Sequence, residues 1–291
     1  MEYKQKHVLG LSGGKDSAAL AVYMRDNYPS IDIEYFFTDT GKELPETLDF
    51  LNELEAYLGK DIHRIGTEDR QEKDFDYLLE YEFNNYLPSP QQRWCTIQMK
   101  LVPFENWVKE FLDDGYEIFS YVAIRADEPM REGYKPTHDF LKVRMPFVED
   151  GLIKKNIEDI LETSGLGLPK YYEWRSRSGC TFCFFQRKIE WIRLKERHPE
   201  LFEDAKRYEK KVGETPSGHA YYWLGKDTPL STLENPEKIQ QIKEEHEKQL
   251  QRYKKRLRRN ALLDVEVLDT KVMDEMYDDQ EGAGACITCY K

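Results

Sequence analysis

The sequence predicts a doubly wound α/β fold, a parallel sheet with helices on both faces, followed by a smaller and mainly helical C-terminal part. Three short stretches, at 7–11, 31–37 and 61–65, are predicted to be strands, the first because it has the composition of a buried strand and the second because Ile31, Ile33 and Tyr35 alternate. Segments of helical character, 18–28 and 45–58, separate them, and strands that alternate with helices at this spacing pair in parallel. A glycine-rich loop lies between the first strand and the first helix, where such folds bind phosphate.

The signals for each element follow in order along the chain. Pro29 ends the first helix, Pro45 suits the first turn of the second helix, and Gly59 ends it. Beyond the third strand, apolar patterning predicts two helices and then a further strand, at 75–86, 97–112 and 118–124. Strand signals then fade, and three more helices are predicted at 189–197, 200–212 and 236–261.

These elements predict three regions. Residues 1–165 form the nucleotide-binding α/β domain, and residues 166–262 form a helical region that carries a Cys-x-x-Cys loop. Residues 263–291 form an acidic tail, which we expect to be mobile and which ends in a second Cys-x-x-Cys pair.

Composition and charge limit the class of protein. Of the 291 residues, 40% are hydrophobic and 34% are charged, enough to fill a core and to keep the surface wet. No run of 18 apolar residues occurs, and a charged opening segment leads directly into the first strand. We therefore expect no signal peptide, no membrane partner and a cytoplasmic location. The net charge of −12 argues against indiscriminate nucleic-acid binding but allows a local basic surface.

The loop after the first strand has the chemistry of a phosphate-binding site. It reads Ser12-Gly13-Gly14-Lys15-Asp16-Ser17. The two glycines allow backbone N–H groups to crowd around an anion, and the helix N-terminus adds positive potential. The lysine adds a full charge and the serines add hydroxyl donors, whereas the carboxylate of Asp16 suits either Mg²⁺ or a structural cap.

Four motifs, in order along the chain, carry a resemblance to a known family. The glycine loop resembles that of the PP-loop ATP pyrophosphatases, and residues 38–47 resemble the second signature of the phosphoadenosine-phosphosulfate reductase branch. That branch also has an Arg-Trp-Cys segment, matched here at 93–95, and an Arg–Glu–Arg pattern, matched by Arg125, Glu128 and Arg131. The resemblance covers about residues 7–190 and implies an adenine nucleotide α-hydrolase-like sheet.

The resemblance also implies a reaction. The sulfate-assimilation reductases have a degenerate loop and a catalytic Glu-Cys-Gly-Leu-His ending, and this chain has neither. The intact loop is instead similar to that of the ATP-splitting sulfur-transfer members, closest to the DNA phosphorothioation subunit. Such members use ATP and Mg²⁺ to place AMP on an acceptor, releasing pyrophosphate. The implied partners are a nucleic-acid acceptor and a sulfur-donor protein such as a cysteine desulfurase.

The resemblance assigns site residues as well. It implies catalytic roles for Lys15, Asp16 and Arg125. It implies nucleotide contacts from both loops: Ser12, Gly13, Gly14, Lys15, Asp16 and Ser17 from the first, and Asp39, Thr40 and Gly41 from the second. Two alternatives remain: a thiol-dependent reductase of phosphoadenosine or adenosine phosphosulfate, which the intact loop disfavours, and a non-catalytic regulatory subunit that binds ATP.

The five cysteines favour metal, iron–sulfur or redox chemistry over a disulfide framework. Cys180 and Cys183 have metal-ligand spacing, and Cys95 belongs to the Arg-Trp-Cys motif. Three cysteines with an open fourth position resemble the [4Fe–4S] site of certain PP-loop thiolases. A Zn²⁺ site and inert buried thiols are the alternatives, and Cys286 or Cys289 could supply a fourth ligand.

A possible nucleic-acid face surrounds the Cys-x-x-Cys loop. Seven basic residues cluster there, namely Arg175, Arg177, Arg187, Lys188, Arg193, Lys195 and Arg197. Trp174 could stack an unpaired base beside them. The alternative is an ordinary solvated helix face, with Trp191 and Leu194 on its buried side.

Overall fold

The structure is a computed structural model that describes residues 3–66, 73–131, 133, 135–136, 138–215, 217–225 and 227–260, the last five without their side chains. The described residues divide into two compact units. The first takes in 3–75 and 93–171, and the second takes in 76–92 and 172–260. The division therefore falls a few residues beyond the predicted one, and the second unit also includes an early segment, 76–92, that the sequence placed in the first domain.

The first unit is built on a five-stranded parallel sheet. Its strands are β1 (Lys4–Gly10), β2 (Ile33–Thr38), β3 (Ile62–Ile65), β4 (Tyr116–Tyr121) and β5 (Leu141–Arg144). They lie in the order β3-β2-β1-β4-β5, and each neighbouring pair is parallel. The predicted α/β class is confirmed. The short strand β5 was not predicted, because its alternating Leu141-Lys142-Val143-Arg144 is too brief to stand out in the sequence.

Helices connect the strands of the first unit. They are α1 (Lys15–Asn27), α2 (Pro45–Leu58), α3 (Val102–Asp113) and α4 (Lys154–Ser164), with short helical turns at Trp94–Thr96 and Pro146–Glu149. A further turn, Phe75–Tyr77, begins at the last residue of segment 3–75 and continues into the second unit. A π-helical turn, Ile97–Leu101, leads into α3, so the single α-helix predicted at 97–112 is interrupted at its start. The sequence did not predict α4.

The core of the first unit lies on both faces of the sheet. One cluster packs Leu9 and Phe37 against α1, where Ala18 and Leu20 are fully buried. The opposite face packs Phe36 against Phe104 of α3, with ring centroids 4.9 Å apart. Burial of each such large apolar side chain stabilises the fold by about 1.5–3 kcal/mol. A sheet covered on both faces explains why the end of β1 (8–10) and the middle of β2 (35–37) are buried at every consecutive position.

The second unit is helical. Its helices are α5 (Lys188–Arg197), α6 (Pro199–Arg207) and α7 (Pro236–Asn260), and it also contains a π-helical turn at Leu78–Glu82 and a 3₁₀ turn at Leu230–Glu234. A second 3₁₀ turn, Lys170–Glu173, crosses the boundary between the two units. Among the helices described, none combines the length and the apolarity that a bilayer crossing needs.

Helix α6 ends earlier than predicted, at Arg207 rather than at residue 212. The chain turns away because Lys210 pairs with Tyr221 in an antiparallel bridge. Just before it, the Glu209 carboxylate accepts hydrogen bonds from the N–H groups of Trp223 and Leu230. These contacts come from residues far along the chain, which local helical patterning does not report.

Candidate active site

The predicted phosphate-binding loop lies at the point where the strand order of the sheet reverses. Strand β1 ends at Gly10 and α1 begins at Lys15, while β2 and β4 flank β1 on either side. In open parallel sheets, ligands bind outside the carboxyl ends of the strands at this kind of position. The N-cap of α1 is Gly14, which has no side-chain cap among the described residues, so the first-turn N–H groups and the helix dipole are directed at this loop.

The two serines of the loop hold its backbone in shape. The Ser17 hydroxyl accepts a hydrogen bond from the Ser12 N–H at 3.1 Å and lies 3.2 Å from the Gly14 carbonyl oxygen. The Gly14 N–H in turn donates to the Ser12 hydroxyl at 3.3 Å. Both serines predicted as nucleotide contacts therefore also organise the loop.

Gly13 is a position where only glycine fits. Its φ of +68° is in the left-handed region, and a β-carbon there would collide with the Cγ2 methyl of Thr47. The Gly13 carbonyl accepts a hydrogen bond from the hydroxyl of Tyr171 at 2.8 Å. This tyrosine was not predicted from the sequence, and no local signal could have found it, because the two residues are 158 positions apart.

Asp16 and Arg125 form a buried ion pair that joins the first turn of α1 to the segment after β4. Arg125 Nη1 lies 3.1 Å from Asp16 Oδ1, and the exposed fractions of Arg125 and Asp16 are 2% and 6%. The Nε of Arg125 donates to Asp127 at 2.9 Å. The structure thus brings two of the three predicted catalytic residues into contact. The third, Lys15, precedes Asp16 in the same helical turn and is also buried.

The predicted Arg–Glu–Arg pattern forms one connected network. The backbone N–H of Arg125 donates to Glu128 Oε2 at 3.2 Å. Arg131 Nη1 lies 2.8 Å from both carboxylate oxygens of Glu128. This network orders the segment that presents Arg125 to Asp16.

The second predicted nucleotide loop follows β2 and is organised by Glu43. Its carboxylate accepts hydrogen bonds from the Thr40 hydroxyl at 2.7 Å and from the Lys42 N–H at 3.2 Å. The Gly41 N–H donates to Asp39 at 2.8 Å. Burial raises the pKa of Glu43 above its ordinary value, and the positive charge of Lys100 opposes that rise. No role for Glu43 was predicted from the sequence.

This loop lines a polar cavity of about 480 Å³. The lining residues are Asp39, Thr40, Gly41, Lys42, Glu43, Leu48 and Asp74. Every one of them belongs to the first unit. The predicted contact residues Asp39, Thr40 and Gly41 thus face an open recess at the carboxyl end of β2.

The predicted metal ligands are divided between the two units. Cys95 lies in the first unit within the turn Trp94–Thr96, whereas Cys180 and Cys183 lie in the second. None of the three forms a disulfide within the described residues. Within the described ranges, no group of three or more His, Cys, Asp or Glu side chains is placed to hold a metal ion. The candidates for a fourth ligand, Cys286 and Cys289, lie outside the described residues, so the ligand set remains a prediction.

The prediction that Trp174, Arg175 and Arg177 form part of a nucleic-acid-binding face is wrong, because all three side chains are buried. Trp174 is 2% exposed and Arg175 is fully buried, and Arg177 is also buried. A side chain packed inside the second unit cannot stack a base or contact a phosphate. Trp191 and Leu194 are buried, as the alternative of an ordinary helix face predicted, whereas Lys188 and Arg197 at the two ends of α5 are exposed.

Comparison with known families identifies the sheet-bearing part of the chain. A model of the phosphoadenosine phosphosulfate reductase domain matches residues 6–140. This range contains the phosphate loop, the second loop, Cys95 and the Arg125 network. Residues 6–140 belong to the phosphoadenosine phosphosulfate reductase domain family. The predicted resemblance is confirmed, and Tyr171, Cys180 and Cys183 lie beyond the part of the chain that the family model covers.

Three curated proteins are similar in sequence to this chain. One uncharacterized protein of Methanocaldococcus jannaschii is 27% identical, over 69% of this chain and 40% of its own length. A second from the same organism is 26% identical, over 78% of this chain and 55% of its own. An uncharacterized nin region protein of Escherichia phage lambda is 28% identical, over 50% of this chain and 57% of its own. The match thus spans about half the length of these relatives.

Two solved structures are similar at low sequence identity. A phosphoadenylyl-sulfate reductase from Candida auris, in a phosphate complex, has a TM-score of 0.44 and 13% identity, over 60% of this chain and 81% of that one. A U34-tRNA thiolase from Methanococcus maripaludis, with its [4Fe–4S] cluster, has a TM-score of 0.44 and 14% identity, over 72% of this chain and 76% of that one.

Proposed function

We propose that this reductase-family protein is an ATP pyrophosphatase that activates an acceptor for sulfur transfer. An acceptor oxygen attacks the α-phosphorus of ATP, the bond from that phosphorus to the bridging oxygen breaks, and pyrophosphate leaves. A sulfur nucleophile then displaces AMP from the adenylated acceptor. The single observation that carries the proposal is the intact loop 12–17, with Lys15 in the first turn of a helix, at the switch point of a parallel sheet.

The geometry suits stabilisation of a departing pyrophosphate. The first-turn N–H groups of α1 and the ammonium group of Lys15 bind the β- and γ-phosphates, where negative charge accumulates as the bond breaks. The buried pair of Asp16 and Arg125 holds the first turn in place. Mg²⁺, bound with ATP, supplies further charge neutralisation.

The bond that is cleaved provides the test. Purified protein is incubated with Mg²⁺, acceptor and ATP labelled in the α-phosphate, and the products are separated. Labelled AMP with pyrophosphate is expected; ADP with phosphate would overturn the proposal. Lys15→Ala should abolish the release of AMP, while Lys60→Ala, which removes an exposed lysine of the same unit, should not. Tight ATP binding without turnover, whatever the acceptor, would favour the regulatory-subunit alternative.

We propose a nucleic acid as the acceptor. With Trp174 and Arg175 buried, its phosphates would contact exposed cations of the second unit, including Lys188 on α5 and Lys255 on α7. An overall charge of −12 confines such contact to a local patch, so binding should be weak and strongly dependent on salt.

Fluorescence anisotropy with single-stranded, duplex and transfer RNA probes tests this acceptor class. Reversing Lys188 and Lys255 to glutamate should weaken nucleic-acid binding and flatten its salt dependence. Lys109→Glu, on α3 of the first unit, is the control for a charge reversal outside the proposed binding surface. If no probe binds at low salt with ATP present, a small-molecule acceptor becomes the better proposal.

The proposed centre for sulfur handling is thiolate-ligated, with Cys180 and Cys183 as two of its ligands and Cys95 as a candidate third. The turn from Cys180 to Cys183 is closed by a hydrogen bond from the Cys183 N–H to the Cys180 carbonyl at 3.1 Å, which holds the two residues close together. Such a centre would hold the sulfur that a donor protein, such as a cysteine desulfurase, delivers. Iron and zinc analysis of protein purified without oxygen distinguishes a [4Fe–4S] cluster from Zn²⁺.

A further inference from the structure

Arg175 is a buried guanidinium group whose charge has no acidic partner among the described residues. The residue is fully buried, and its Nη2 donates to the Cys180 carbonyl at 3.0 Å. Its Nε and Nη1 have no hydrogen-bond partner within the described part of the chain. Arginine stays charged in proteins, and burial of an unpaired charge is costly. The position therefore favours a compensating negative charge that no described Asp or Glu side chain supplies through an ion pair.

The buried carboxylate of Glu190 forms its hydrogen bonds with residues other than Arg175. Glu190 Oε1 accepts from the N–H and the hydroxyl of Ser176, at 2.7 and 2.9 Å, and Glu190 Oε2 accepts from the Arg187 N–H at 2.9 Å. Arg177 is a second buried arginine, positioned over the ring of Phe185 at 5.0 Å. This part of the second unit thus buries the guanidinium groups of Arg175 and Arg177 near the carboxylate of Glu190.

The Cys-x-x-Cys turn lies directly against Arg175. A β-carbon placed on Gly179 would be 3.2 Å from Arg175 Nη2 and 3.7 Å from Cys183 Sγ. The missing side chain of Gly179, whose φ is +150°, therefore leaves a gap that the guanidinium and the sulfur share. A larger residue at this position would push them apart.

The turn itself is held firmly from both sides. Gln186 donates through its N–H to the Cys183 carbonyl at 2.9 Å and through its side chain to the Thr181 carbonyl at 2.7 Å. Phe182 is buried against Trp223, with ring centroids 5.2 Å apart. Cys180 and Cys183, by contrast, are partly exposed. The backbone is thus fixed while both cysteines keep access to a ligand.

We propose that Arg175 is the counter-charge of a thiolate-ligated metal centre whose ligands include Cys180 and Cys183. Such centres carry net negative charge when the thiolates outnumber the positive charges of the metal core, and hydrogen bonds and charges around the sulfur atoms tune their stability and potential. The inference rests on the metal part of the proposed function and is independent of ATP cleavage. Arg175 acts through the sulfur ligands, so it is a positioning residue and not a catalytic one.

The test measures metal retention. Wild-type protein, Arg175→Met, Arg175→Lys and the control Arg197→Met, which removes an exposed arginine, are purified without oxygen and loaded with iron and sulfide, or with Zn²⁺. Metal per chain and the rate of loss to a chelator are then recorded. Loss of charged hydrogen bonding should make Arg175→Met release metal roughly ten- to a hundred-fold faster than wild type. Arg175→Lys should be intermediate, and Arg197→Met should match wild type. Iron or zinc content identifies the metal.

Thermal unfolding of the same variants separates this role from a structural one. Without metal, Arg175→Met should be at least as stable as wild type, because it no longer buries an unpaired charge. Metal loading should then raise its unfolding temperature less than that of wild type. Equal metal retention in Arg175→Met and wild type would overturn the proposal, as would marked destabilisation of metal-free Arg175→Met or a wild-type protein that binds neither metal. None of these outcomes depends on AMP release, so the inference can fail while ATP cleavage stands.

Discussion

The hydroxyl of Tyr171 donates a hydrogen bond of 2.8 Å to the carbonyl of Gly13. Tyr171 is fully buried at the end of the first unit, beyond the residues that the family model matches. Because a peptide group is planar, fixing the Gly13 carbonyl also fixes the direction of the Gly14 N–H. That N–H donates to the Ser12 hydroxyl, so one distant tyrosine sets the orientation of a central peptide of the phosphate loop.

Tyr171→Phe should weaken ATP binding with little effect on folding. The substitution removes one neutral hydrogen bond and leaves the ring in place, so we expect the dissociation constant for ATP to rise roughly two- to ten-fold. Isothermal titration calorimetry measures it. Tyr116→Phe, on β4, is the matched control and should bind ATP like wild type. An unchanged affinity in Tyr171→Phe would show that the loop keeps its shape without this contact.

Gly13→Ala should abolish ATP binding and destabilise the first unit. Alanine would be strained at a φ of +68°, and its methyl group would collide with Thr47. Gly59→Ala is the control, because Gly59 has a similar φ of +63° but, among the described residues, no neighbouring atom lies within 4 Å of the place its methyl group would take. In urea unfolding, the midpoint concentration for Gly13→Ala should be well below that for Gly59→Ala.

A second substitution isolates the collision at Gly13. Thr47→Ser removes the methyl group that the new side chain would strike, so the double variant should recover part of the lost stability. Recovery should be incomplete, since the backbone strain remains. If Thr47→Ser restores nothing, strain at Gly13 alone explains the loss.

Asp16→Asn should lower the free energy of unfolding by about 1–3 kcal/mol, the usual range when a buried group loses its partner. Arg125 would keep Asp127 as an acceptor but lose the carboxylate 3.1 Å away. The control is Asp26→Asn on the same helix, whose pair with Arg25 is exposed and should contribute less than about 1 kcal/mol. Equal losses of unfolding free energy for the two substitutions in urea would show that the buried pair of Asp16 and Arg125 contributes no more stability than the exposed pair of Asp26 and Arg25.

Glu209 should make stability depend on pH. Burial raises its pKa from 4.5 to about 7, against the opposing effect of the N–H donors of Trp223 and Leu230. The folded state thus holds this proton more tightly than the unfolded state. The contribution of protonated Glu209 to the stability of the folded state is fully present below about pH 4.5 and is lost as the pH rises through about 7.

Glu209→Gln provides the comparison, since glutamine cannot ionise and can still accept both hydrogen bonds. Between pH 4.5 and 7, wild type should lose roughly 1–2 kcal/mol relative to this variant, a value reduced for partial exposure. Urea unfolding at several pH values measures the difference. A difference that does not change with pH would show that the Glu209 carboxyl is already ionised throughout the range.

The phosphate loop could be predicted because all its chemistry is local. Six consecutive residues, 12–17, supply the glycine turn, the cation and the helix N-terminus, and the alternation of apolar strands with helices places them at the end of a parallel strand. The same locality allowed the second loop and the Arg125 network to be found, since each of these is one short segment.

What the sequence alone determined is therefore the α/β class, the position of the two loops predicted to bind the nucleotide, and the reductase-family motifs, because each depends on neighbours along the chain. Only the tertiary structure decided which distant residues meet and which side chains are buried. Asp16 and Arg125 are 109 positions apart, and their pairing depends on β1 and β4 lying side by side. The burial of Trp174 and Arg175 depends on packing within the second unit, where Arg177, also buried, lies over the ring of Phe185. Composition reports charge but not solvent access, and for that reason the basic cluster was misassigned.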